Sequence, residues 1–71
     1  MNKLDENDFA EFSRQVGLQL LRHPCLRRGQ AMMNELYRIR PDLYNAIGAT
    51  ENDPFYQDSR IPNFIELIVD I

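Results

Sequence analysis

The chain has one cysteine, one histidine, no tryptophan and only three glycines. With Cys25 as the sole thiol there is no intrachain disulfide, and with His23 as the sole imidazole there is no Cys/His set able to hold zinc. Gly17, Gly29 and Gly48 are scattered, so no glycine-rich loop is available to cradle a phosphate. Long apolar runs are missing too: none approaches the ~20 residues that a helix needs to cross a bilayer. The stretch from Met1 to Glu11 is acidic, where a signal peptide requires a basic start. A cytoplasmic protein with a reduced, partly buried Cys25 is expected.

Catalytic raw material is equally sparse. His23 and Cys25 lie two residues apart on a short break, and a nucleophilic pair there needs an orienting third group and a pocket. Asp53 and Asp58 suggest paired carboxylates, but in their context they read as a turn former and a loop solubiliser. No catalytic residue, cofactor or metal is assigned, and a non-enzymatic protein is expected.

What the sequence does contain is pattern. Seventy-one residues suffice for one core, hence a single domain spanning 1–71. The net charge of −3 conceals an ordered distribution. Acids dominate from Met1 to Ser13, six arginines face Glu35 alone from Arg14 to Arg40, and six acids face Arg60 alone from Pro41 onward. The overall acidity opposes general affinity for DNA or an anionic membrane.

Helical periodicity is clearest at the start. Phe9, Phe12, Val16 and Leu20 recur at spacings of three and four, with Leu21 extending the stripe, and Ala10, Ser13 and Gly17 beside it leave room for a neighbouring helix. Asp5 is placed as the N-cap, Leu4 and Phe9 as a hydrophobic staple, and Pro24 stops the helix, predicting Glu6 to Arg22. Leu18 is read as exposed. A second helix from about Arg28 to Ile39 follows Gly29, Met32, Met33, Leu36 and Ile39, the methionines filling the core. Pro41 at a first helical position and Gly48 after the last give a third helix, Pro41 to Ile47.

From Ala49 to Arg60 there is no period, and Asp53-Pro54 signals a turn. Phe55 and Tyr56 in such a loop are either a lid folded onto the core or anchors displayed to a partner. A lid predicts a loss of about 3 kcal/mol for Phe55→Ala. The last segment alternates as a strand would over Ile65, Leu67, Val69 and Ile71, but a helix groups Ile61, Phe64, Ile65 and Ile68 inward, and no partner strand is evident. The fold class expected is all-α, a small bundle of three to four helices with one ordered aromatic loop.

Two surfaces invite a functional reading. The outward face of the second helix carries Arg27, Gln30, Asn34 and Arg38, types that read base edges, as in a helix-turn-helix DNA-binding regulator. Alternatively, arginines and aromatics form a protein interface, where Arg and Tyr are favoured anchors and separated charge orients the partner. On that reading Tyr37, Tyr44, Phe55, Tyr56 and Arg60 are the anchors, and Arg27 and Arg38 steer.

The run Arg28-Gly29-Gln30-Ala31, Asn34, Leu36 and Arg40-Pro41-Asp42-Leu43 continues with Thr50, Asp53-Pro54-Phe55-Tyr56, Asp58, Arg60-Ile61-Pro62 and Phe64. This pattern resembles a family of short proteins of unassigned activity common in bacteriophage and prophage genomes, over roughly Arg28 to Leu67. The resemblance implies a phage setting inside a bacterial host and carries no catalytic residue with it. It raises the reading of binding to another protein, a host or phage protein or an anti-phage defence protein among them, or to a second copy of the chain, and lowers the reading as an enzyme.

Overall fold

The computed structural model describes residues 2–70 and has four α-helices: α1 (Glu6–Arg22), α2 (Arg28–Ile39), α3 (Pro41–Ile47) and α4 (Ile61–Ile68), the last preceded by a single 3-10 turn at Asp58–Arg60. The small all-α bundle expected from periodicity is thus what forms. Local signals account for most of the boundaries. The Asp5 carboxylate accepts from the Asp8 amide at 2.8 Å, satisfying one of the free N–H groups of α1. Glu6 and Asp8 add negative charge to the positive first turn, and the chain turns away at His23, before Pro24.

The apolar stripes meet as their spacing requires. Phe12 and Val16 of α1, Met33 and Leu36 of α2, and Phe64 and Ile68 of α4 are buried in one core, with Leu43 and Ile47 of α3 closing one end. Phe64 has no exposed surface, and truncating such a ring to alanine costs about 3–5 kcal/mol. Leu4 is also buried in this core and Phe9 packs against it, consistent with the staple.

Four expectations are corrected. Leu21 does not extend the stripe: it is 79% exposed, because the helix rotates it past the edge of the α1–α2 contact, while Leu18 is half-buried rather than exposed. Cys25 is exposed on the turn after α1, where no helix covers it. Gly48 follows the last residue of α3 as expected, at φ −56°, and the left-handed residue is its neighbour Ala49, with φ 64°. The strand-like alternation near the end also has an outlet. After α4 the chain becomes extended at Val69, which forms an isolated parallel bridge with Leu4. Leu4 donates to the Ile68 carbonyl at 2.7 Å and accepts from Asp70 at 2.9 Å, so the segment before α1 supplies a partner for one residue of strand.

One acid lies in the core. Glu35 is 3% exposed and is held by Arg38, whose Nε stands 3.1 Å from Oε1 and whose Nη2 also donates. Gln19 of α1 adds a weaker contact at 3.5 Å. A buried carboxylate so paired is tolerated because its charge and its lone pairs are answered together.

Candidate functional site

The segment 49–60 is where α2, α3 and α4 converge, and polar side chains order it. Asp53 accepts from the Phe55 amide at 2.9 Å and from the Ala49 amide at 2.7 Å, forming the predicted turn and holding Ala49 in its left-handed conformation. Thr50 caps the exit of α3 by donating to the Ile47 carbonyl at 2.5 Å. Pro54, not Phe55, is the residue of this loop that is fully buried.

Two long-range hydrogen bonds fasten the loop to α2. Arg27 Nη2 donates to the Phe55 carbonyl at 2.8 Å, and the Gly29 amide donates to Asp58 Oδ1 at 3.0 Å. The second has a clear physical cause. Helix α2 begins at Arg27 with no side-chain cap and no acid in its first turn, so its positive end is unanswered locally. Asp58, expected only to solubilise the loop, serves as a cap supplied from 29 residues away. Gly29 permits the approach: a Cβ there would lie 2.0 Å from the Pro54 carbonyl oxygen.

This packing leaves a groove of about 360 Å3 whose lining includes Met33, Tyr44, Asn45, Ala49, Phe55 and Tyr56. Met33 is buried and Tyr44 and Phe55 are half-buried. Phe55 and Tyr56 meet edge-to-face, centroids 4.8 Å apart at 69°, and Tyr37 meets Tyr44 at 5.0 Å and 66°. In each pair a half-buried ring backs an exposed one, Tyr56 at 80% and Tyr37 at 63%. The lid and the display are therefore divided between neighbours: Phe55 covers the core and Tyr56 faces solvent.

Of the seven residues proposed for an interface, Tyr44, Phe55 and Tyr56 line one groove and Tyr37 stands beside it. The arginines have other duties. Arg27 holds the loop, and Arg60 reaches the Thr50 and Asp53 carbonyls at 3.3 and 3.5 Å. Arg38 is bound to Glu35 at the α1 seam, and the hydrogen bonds it donates to that carboxylate raise its pKa. Sequence reasoning missed Met33, Asn45 and Ala49 as groove residues; Met33 reads as core from its period, and Asn45 and Ala49 carry no signal.

The base-reading face of α2 fares worse. A recognition helix presents its N-terminal residues to DNA. Here that end carries the Asp58 carboxylate, Arg27 is tied to the loop, and Gln30 is half-buried. Among the described residues no group of three His, Cys, Asp or Glu side chains is placed to hold a metal ion, and no helix is long and apolar enough to cross a membrane. Comparison with family models, curated proteins and solved structures gives no match.

Proposed function

We propose that this chain is a non-enzymatic protein-binding module of phage or prophage type, which docks through the aromatic groove onto a host or phage protein and modulates or inhibits it. One observation carries the reading: two tyrosines stand exposed beside an open groove, each braced by a ring that is itself seated against the core. An exposed ring fixed in this way loses little conformational freedom on binding, having only two side-chain torsions, and brings a large apolar face with a hydroxyl at its tip. The ordered loop serves the same end, since a preorganised surface avoids part of the ordering cost of association. The phage resemblance supports a bacterial protein as the target, an anti-phage defence protein among them.

The test is affinity purification of the tagged chain from bacterial cells, beside the Tyr37→Ala and Tyr56→Ala variants. A stoichiometric partner that is retained by the parent chain and lost from either variant supports the proposal. Both variants should melt within about 0.5 kcal/mol of the parent, as surface substitutions do. A partner held equally by all three chains, or no partner from a chain that also sediments as a monomer, contradicts it.

A further inference from the structure

Gly17 lies in the middle of α1, exposed, and a Cβ built there would meet nothing within 4 Å. The other two glycines are used within the chain: at Gly29 a Cβ would strike the Pro54 carbonyl, and at Gly48 it would lie 2.9 Å from the Tyr44 carbonyl oxygen. Glycine in a helix interior weakens the helix relative to alanine, and among the described residues no close contact at position 17 requires it. The space it leaves opens onto a second groove of about 360 Å3, lined by α1, α2 and α4 and sharing no residue with the aromatic one. Buried Val16, Met32 and Ile61 form its floor, and half-buried Phe9, Leu20 and Ile65 form its walls.

Three features define the occupant. Ser13 and Gly17, one helical turn apart along the groove, let a second helix approach α1 closely. From Phe9 to Leu20 the groove follows α1 for about 16 Å, or three turns at ~1.5 Å per residue. The charged residue in the lining is Arg28, which is exposed and makes no ion pair among the described residues. We propose that this groove receives an amphipathic helix of another protein, about three turns long, with its apolar stripe between α1 and α4 and an acidic residue against Arg28. A second copy of the chain has no free helix to offer, because the buried residues of its α1, α2 and α4 stripes, Val16, Met32 and Ile68 among them, are already packed in its own core.

The test is an NMR titration of the isotope-labelled full chain with two synthetic helical peptides of about twelve residues. Both carry leucines at i, i+4, i+7 and i+11; one is flanked by glutamates and the other by lysines. The glutamate peptide should shift the amides of Ser13, Gly17 and Ile65 and bind about fivefold tighter than its lysine counterpart. Arg28→Glu should reverse that preference, and it should fold because an acid suits the first turn of α2. Gly17→Trp, which fills the groove at a position open to solvent, should bind neither peptide while keeping its other resonances. Binding by neither peptide, equal affinity for both, shifts centred on Tyr44 and Tyr56, or undiminished binding by Gly17→Trp would each overturn the proposal. So would a dimer of the free chain that Gly17→Trp abolishes.

Discussion

Gly29 and Gly17 are both helical glycines beside apolar neighbours, yet their surroundings differ in kind. Around Gly29 the chain closes on itself: Pro54 is buried against the backbone, Asp58 caps the helix and Arg27 holds the loop by a carbonyl. Around Gly17 the chain stays open, with a groove whose apolar walls are only half covered. Missing side-chain volume thus serves internal packing in one place and remains available to a ligand in the other. The same division separates Phe55, seated on the core, from Tyr56, displayed beside it.

Gly29→Ala should have the largest effect on this contrast. Its Cβ cannot coexist with the Pro54 carbonyl, so the loop must shift and the Asp58 cap loosen, at a cost of about 3 kcal/mol. Urea denaturation measures it, and a neutral result would mean that the loop does not dock on α2. Phe55→Ala comes next, at about 2 kcal/mol in the same assay, below the 3 expected of a full lid because the ring is half-buried. A loss under about 0.5 kcal/mol would make Phe55 as dispensable to the fold as a surface ring. Gly17→Ala should act in the opposite direction, raising stability by about 1 kcal/mol, since a methyl there meets nothing and favours the helix. Destabilisation would show that the α1 surface is already occupied.

The smallest effect is electrostatic. Hydrogen bonds from Arg14 and then Gln15 lower the Glu11 pKa from 4.5 to about 2, and a hydrogen bond from Arg40 lowers that of Asp42 from 3.8 to about 2. Both acids have folded-state values below their unfolded ones. Their contribution is therefore present above pH 4.5 and 3.8 respectively, and is lost as the pH falls towards 2. These groups are exposed, so the change in stability should be slight. Carboxyl NMR titration should nevertheless find both midpoints depressed, with Glu11 alone returning towards 4.5 in Arg14→Gln.

Legibility in the sequence follows the range of the interactions. The bounds of α1, the end of α2 and the start of α3 are set by neighbours: Asp5 before Glu6, Pro24 after His23, and Pro41 at the start of a turn. Periodicity identified Phe12, Val16, Leu36 and Phe64 as core because it reports which side of a helix a residue occupies. It misplaced Leu21 because it gives a direction without saying how far round α1 the neighbouring elements reach. The duties of Arg27, Asp58 and Gly29 were hidden because their partners lie 28 or 29 residues away and polar pairs have no period. Tyr44, Phe55 and Tyr56 could be named as candidates from residue type, whereas the groove that gathers them depends on the docking of the loop.

The direct test of the aromatic face is site-specific photo-crosslinking in bacterial cells. A photoreactive amino acid replaces Tyr56 in one chain and, as a control, exposed Asn63 of α4 in another. One discrete protein adduct is expected from position 56, absent at position 63 and lost when Tyr37→Ala is added. Identical adducts at both positions, or no adduct at position 56 from a folded and expressed chain, would contradict it.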